Sequence, residues 1–154
     1  MLPDVAFRNE KDMTMTMTAS ARSIGGTLRN EIDVNGRHSI TTDEPETLGG
    51  TDTAPAPHEL LPAMLASCVS SMIVLYAHAH DWELEDVRVD VEYDPDSTPR
   101  RVEVAVHLPE GLRPDQVKRL RRVAASCPVK RTLETGFTFR EQIILDLANP
   151  KAVS

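Results

Sequence analysis

The fold of this 154-residue chain depends on residues 57–80, "PHELLPAMLASCVSSMIVLYAHAH". Apolar side chains lie on nearly every side of the helix that this stretch predicts, which is typical of a buried helix rather than a surface one. The stretch is about as long as a membrane span. Because it contains proline, cysteine and serine and is followed by charged residues, we predict a core helix and no association with a membrane.

Strand patterns precede this helix. Residues 13–23, "MTMTMTASARS", alternate strictly, which predicts a strand with one buried face. That face carries Met13, Met15, Met17, Ala19 and Ala21. The pair Asn35-Gly36 is a strong hairpin signal, so a three-stranded meander is expected. Residues 1–12 are predicted to be a flexible arm, and residues 13–154 a single domain.

A second hairpin and two short helices follow the long helix. "VRVDVEY" (87–93) and "RRVEVAVHL" (100–108) each place valines on one face. "LRPDQVKRLRRVAAS" (112–126) is typical of an amphipathic helix, and "FTFREQIILDL" (137–147) of a final strand. The order predicts an α+β fold with helices packed on antiparallel sheets.

Charge and motifs exclude several functions. The net charge is −7, and the basic residues of 112–126 fit the solvent face of a helix, so no nucleic-acid binding is expected. The sequence has no GxGxxG, P-loop, CxxC or HExxH motif, so neither a nucleotide nor a metal is expected. No apolar run has the flanks of a signal peptide, which favours the cytoplasm, where two cysteines are free or catalytic thiols.

Cys127 directly precedes Pro128, which places it at the N-cap of a short helix that ends at Gly136. A helix start stabilises a thiolate, and we expect this corner to expose the sulfur. The alternative is a plain helix–helix corner with a small residue in it.

Cys68 lies on the long helix, one face of which also carries Leu61, Met64, Leu65, Met72 and Leu75. A cysteine in such apolar surroundings is usually inert, with a raised pKa, unless a cation is directed at it. Arg22 and Arg29 are the candidate cations, although either also fits a solvated surface position. Glu59 could stabilise the first helical turn or hold such an arginine.

Two segments in this order carry a family resemblance: "LGGTDTAPAPHELLPAMLASC" (48–68) and "SCPV" (126–129). With the hairpin and helix between them, residues 13–147 resemble the OsmC/Ohr family of thiol-dependent peroxidases. The resemblance implies an intertwined homodimer with its active sites built from both chains. It also implies protection against oxidative or osmotic stress.

The resemblance assigns roles to individual residues. Cys68 is the thiol that attacks an organic hydroperoxide, and Cys127 then forms a disulfide with it. Arg29 stabilises the thiolate, and Glu59 holds that arginine, although the family glutamate stands ten residues before the first cysteine, where this chain has His58.

The expected substrate-binding face comprises Leu61, Met64, Leu65 and Met72, which suit an apolar hydroperoxide. An external dithiol of lipoyl type restores the thiols, and no metal, haem or flavin is required. Two alternatives remain: a module that binds a small hydrophobic ligand, and a dimeric scaffold without a site.

Overall fold

The structure is a computed structural model that describes residues 16–145. Three strands come first, followed by one long helix, a hairpin and two shorter helices. Their bounds are β1 Ala19–Ser23, β2 Asn30–Val34, β3 His38–Thr42, α1 Leu60–His78, β4 Arg88–Asp94, β5 Arg101–His107, α2 Pro114–Ala125 and α3 Pro128–Thr135. Both sheets are antiparallel, which confirms the predicted α+β class.

The first sheet is the predicted meander, with strand order β1-β2-β3. Asn35 and Gly36 have φ angles of 56° and 64°, and with Arg37 they form the tight three-residue turn that joins β2 to β3. All five residues of β1 are exposed, and Met17 before it is 76% exposed. The predicted buried face is therefore wrong for Met17, Ala19 and Ala21 in a single chain, whereas Met13, Met15 and the arm 1–12 lie outside the described residues.

Helix α1 is the centre of the core, and a short turn of 3-10 helix, Pro57–Glu59, leads into it. One side of α1 packs against the β4–β5 hairpin, α2 and α3, and is buried at Leu65, Val69, Ile73, Tyr76 and Ala77. The opposite side is open, with Leu75 59% exposed. Burial on every side, as the sequence predicts, is thus found on one side only, because the part of the chain between residues 16 and 145 covers only that side.

The stretch Pro57–His78 has 22 residues and a mean hydropathy of 1.9, which satisfies the length and composition of a membrane span. Core helices of soluble domains satisfy the same criteria. The contacts of α1 with the hairpin and with α2 assign it to a soluble core.

The second hairpin has alternating valines, and these determine which of its faces meets α1. Val89 pairs with Val106, and Val91 with Val104, so the valines of β4 and β5 share the face that meets α1. Leu120 of α2 belongs to the same buried core cluster. The predicted hairpin is confirmed, but its one buried face is confirmed only in part, because Val102 and Val104 of β5 are 37% and 40% exposed.

The segment after Gly136 is not a strand within residues 137–145, so the predicted final strand is wrong for the part that the structure describes. Residues 146 and 147 lie outside the described residues. The large apolar side chains of this segment are exposed, and Ile143 is 94% exposed. A strand needs the backbone of a neighbour for its hydrogen bonds, and between residues 16 and 145 no other strand pairs with this segment.

Candidate active site

The two cysteines meet in the core, although 59 positions separate them in sequence. The Cys127 thiol donates a hydrogen bond to the Cys68 sulfur, with 2.9 Å between the two Sγ atoms. Both thiols are free, and Cys68 is half-buried. Cys127 is 0% exposed, so the expectation that its corner exposes the sulfur is wrong. Cys127 belongs to the buried core cluster, so its corner faces the body of the protein.

Local geometry explains why the Cys127 side chain turns inward. Cys127 is the N-cap of α3, Pro128 is its first residue, and the Cys127 carbonyl accepts the N–H of Arg131 at 3.1 Å. The Cys127 side chain makes no capping hydrogen bond. Its sulfur is therefore available to Cys68, which lies in the middle of α1.

Several groups act on the pKa of Cys68. Burial raises that pKa above the usual thiol range, and the hydrogen bond and charge of Cys127 raise it further. The backbone N–H of Val129 lowers it. Because Pro128 has no N–H, Val129 carries the first free amide of α3. The favourable helix start that the sequence assigns to Cys127 therefore also acts on Cys68.

Arg29 adjoins β2 and does not contribute to the pKa of Cys68 in this chain. Its Nη1 atom donates a short hydrogen bond to Oγ1 of Thr53. Arg22 on β1 forms an ion pair with Glu31 at 3.6 Å, and both side chains are largely exposed. One chain thus brings the two cysteines together but brings neither arginine to them.

Glu59 stabilises the start of the long helix. Its Oε2 atom accepts the backbone N–H of Ala56 at 2.8 Å, which is a capping contact. The ion pairs among residues 16–145 do not join Glu59 to Arg29. His58 has its ring edge-on to Tyr93, with 6.0 Å between the ring centroids.

The four residues of the predicted substrate-binding face do not share one environment in the structure. Leu61 and Leu65 line a groove of about 400 Å³. Met64 is largely exposed, and Met72 is half-buried. The other lining residues of the groove are Tyr93, Arg100, Val102, Val104, Lys130, Leu133 and Glu134. Leu65 also lines a second groove, of about 350 Å³, against α2.

Sequence reasoning missed a buried carboxylate, Asp43, directly after β3. Asp43 is 1% exposed and accepts the hydroxyls of Thr51 at 2.5 Å and Thr53 at 3.0 Å. It also accepts three backbone N–H groups, from Glu44, Thr51 and Thr53. The Thr51 hydroxyl and the Thr53 N–H are the main causes that hold the pKa of Asp43 well below its usual range. The available signal in the sequence was Asp43 with Thr51 and Thr53 eight and ten positions after it.

Gly50 gives this loop its shape. A side chain there would collide with the backbone of Glu44, so the close approach of the two loop segments requires glycine. Across residues 16–145, no three His, Cys, Asp or Glu side chains are grouped to hold a metal ion.

Comparisons with known proteins identify the family and the fold. A family model described as "OsmC-like protein" matches residues 50–142, more than half of the chain. A candidate osmotic stress induced and detoxification response protein from Psychrobacter arcticus is 27% identical, with a TM-score of 0.64, over 76% of this chain and 87% of that one. An organic hydroperoxide resistance protein, OsmC, from Legionella pneumophila is 27% identical, with a TM-score of 0.53, over 77% and 88%.

An OsmC-like protein from Mycoplasma pneumoniae shares the fold at 19% identity, with a TM-score of 0.59, over 79% of this chain and 89% of that one. A search of curated proteins finds no match.

Proposed function

The chain belongs to the OsmC-like family, and from that premise we propose that it is a thiol-dependent peroxidase that reduces organic hydroperoxides. The contact between the Cys68 and Cys127 sulfurs carries the proposal. Thiols that are distant in sequence and adjacent in space are the arrangement that a sulfenate-to-disulfide reaction needs. The name of the Legionella pneumophila relative supports the choice of substrate.

The proposed reaction has two steps. The Cys68 thiolate attacks the outer oxygen of the hydroperoxide, the O–O bond breaks, and the alkoxide takes up a proton to leave as an alcohol. Cys68 becomes a sulfenic acid. The Cys127 sulfur then attacks the Cys68 sulfur, the S–S bond forms, and the hydroxyl leaves as water. An external dithiol, of lipoyl type or similar, reduces the disulfide by exchange and is itself oxidised.

The thiolate needs a cation because burial raises the pKa of Cys68. We assign that part to Arg29 of a second copy of the chain, so that one active site draws on two chains. In this chain the guanidinium of Arg29 is held by Thr53. Glu59 then supports the site by capping the helix that carries Cys68.

A homodimer is the proposed assembly. The open side of α1, the exposed strand β1 and the apolar segment 137–145 leave much apolar surface uncovered in one chain. Segment 137–145 carries Phe137, Phe139, Ile143, Ile144 and Leu145 in exposed positions. A second copy would supply the missing sheet edge and cover for α1, as in intertwined dimers.

The cytoplasm is the proposed location because a cysteine pair that an external dithiol must keep reduced suits a reducing compartment. The protein would protect the cell during oxidative or osmotic stress. Residues 13–154 would act as one domain, with residues 1–12 as an arm.

The test is steady-state turnover of cumene hydroperoxide with dihydrolipoamide as the reductant, and hydrogen peroxide as the comparison substrate. The expected result is turnover that Cys68→Ser abolishes and that is faster with the organic substrate. Thr132→Ser, a conservative change on the exposed side of α3, is the matched control. Equal turnover by wild type and Cys68→Ser would contradict the proposal.

A second candidate function is the binding of a small hydrophobic ligand. The groove lined by Leu61, Leu65 and Tyr93 favours it because this largely apolar space is not lined by either cysteine. Ligand binding that persists in Cys68→Ser, without hydroperoxide turnover in the wild type, would favour this function. If neither hydroperoxide turnover nor ligand binding were found, a dimeric scaffold without a site would remain as the alternative.

A further inference from the structure

We propose that Asp43, acting through Thr53, positions Arg29 for its part in the peroxidase reaction. The inference rests on the proposed function, in which Arg29 supports the Cys68 thiolate. It assigns positioning to a carboxylate that lies outside the cysteine helix.

A chain of two hydrogen bonds carries the inference. Nη1 of Arg29 donates to Oγ1 of Thr53, and that hydroxyl donates to Oδ2 of Asp43 at 3.0 Å. A hydroxyl has one proton to donate and lone pairs with which to accept. Because the ionised Asp43 takes the proton, the lone pairs of Thr53 remain for the guanidinium. The carboxylate thus fixes which way the hydroxyl of Thr53 points.

Asp43 is itself held rigidly. Its Oδ1 atom accepts the N–H of Glu44 at 2.8 Å, and its Oδ2 atom accepts the N–H groups of Thr51 and Thr53 at 3.2 and 3.1 Å. Its own N–H donates to the carbonyl of Pro55 at 3.2 Å. A buried carboxylate needs such donors to remain charged. The low pKa of Asp43 agrees with a charge that persists over the whole working range of pH.

The carboxylate nearest to the expected family position is already occupied. Glu59 accepts the backbone N–H of Ala56 at 2.8 Å, and position 58 holds a histidine whose ring lies against Tyr93. Neither side chain is bonded to Arg29, whereas Thr53 is. The guanidinium therefore takes its orientation from the loop after β3.

The test compares two threonines that bond the same carboxylate. Thr53→Val removes the contact with Arg29. Thr51→Val removes the shorter of the two hydroxyl bonds to Asp43, at 2.5 Å, and the 3.1 Å contact between the two hydroxyls, but leaves Arg29 in contact with Thr53. Two quantities are measured: the rate constant of the reduced protein with cumene hydroperoxide, and the pH dependence of Cys68 alkylation by iodoacetamide in the Cys127→Ser background.

Thr53→Val is expected to slow the hydroperoxide reaction about tenfold or more, since a hydrogen bond to a charged group is lost, and to move the alkylation profile to higher pH. The fold-loss of the rate constant in Thr51→Val is expected to be smaller than that in Thr53→Val by a factor of at least about five. The alkylation profile of Thr51→Val is expected to shift less as well. Thr53→Ser keeps the hydroxyl and is expected to restore both quantities. In the Arg29→Met background, Thr53→Val is expected to add no further loss.

Equal effects of Thr51→Val and Thr53→Val would overturn the inference, because the threonines would then act only by holding the loop. Additive losses from Arg29→Met and Thr53→Val would also overturn it. Absence of hydroperoxide turnover in the wild type would refute the proposed function instead. The alkylation profile still decides the positioning of Arg29 in that case, because it requires no hydroperoxide, and an unchanged profile in Thr53→Val refutes it.

Discussion

Oxidation of the cysteine pair is predicted to stabilise the protein strongly. One equivalent of cumene hydroperoxide would join Cys68 to Cys127, which closes a loop of about 60 residues in the unfolded chain. In the chain-entropy model, a loop of that length stabilises the folded state by about 4 kcal/mol at 25 °C. The two sulfurs are already in contact, so closing the bond needs only a small movement in the folded state.

The assay is urea unfolding of the reduced and oxidised protein, with the protein concentration held equal because a dimer would make stability depend on it. With a typical urea slope of about 2 kcal/mol per molar, the unfolding midpoint is expected to rise by about 2 M on oxidation. Dithiothreitol should return it to the reduced value.

Cys127→Ser is the matched control, since it retains the attacking thiol but cannot form the bond. Its midpoint is expected to be the same before and after treatment with hydroperoxide. A rise of less than about 0.5 M in the wild type, or an equal rise in Cys127→Ser, would refute the reasoning from loop closure.

Three further predictions concern the core, the buried carboxylate and the dimer. Ile73→Ala removes a fully buried side chain from α1 and should lower the free energy of unfolding by about 2–5 kcal/mol in the same urea assay, whereas a loss under about 1 kcal/mol would contradict the packing. The pKa of Asp43 is lowered by folding, so its contribution to stability is fully present above its unfolded pKa of about 3.9 and is lost as the pH falls toward the folded value. The difference in unfolding free energy between wild type and Asp43→Asn should therefore be constant near neutral pH and shrink in acid. A constant difference down to pH 2 would contradict the lowered pKa. Deletion of the residues after Gly136 should convert a dimer into a monomer in sedimentation analysis, and a dimer that survives the deletion would remove that segment from the interface.

Local signals in the sequence were sufficient for most elements. The Asn35-Gly36 turn, the alternating valines of the second hairpin, and the Pro128 start and Gly136 end of α3 all lie where the sequence predicts them. Each depends on backbone preferences or on side-chain period within a few residues, so no distant contact is needed to fix it.

Predictions that depend on distant neighbours succeeded less well. Cys127 is an N-cap as predicted, but it is buried in the core cluster, and no local pattern records that packing. Among residues 16–145, no element pairs with the segment predicted as the final strand or covers the predicted buried face of β1. An alternating pattern indicates that a segment can form a strand, but it does not show that a neighbouring strand is present.

The candidate site shows the same division. The pairing of Cys68 with Cys127 was expected only from the family resemblance, and the structure brings their sulfurs together. The role of Glu59 at the helix start was one of the two alternatives that the sequence left open, whereas the contact of Arg29 with Thr53 was not foreseen. Competition among nearby donors and acceptors decides such contacts, and it is visible only in three dimensions.

The decisive experiment for the cysteine pair is to count free thiols during titration with cumene hydroperoxide. We expect one equivalent to remove both thiols of the wild type, Cys127→Ser to stop at a Cys68 sulfenic acid, and Cys68→Ser to keep its remaining thiol. Persistence of both thiols in the wild type at a many-fold excess of hydroperoxide would contradict this expectation.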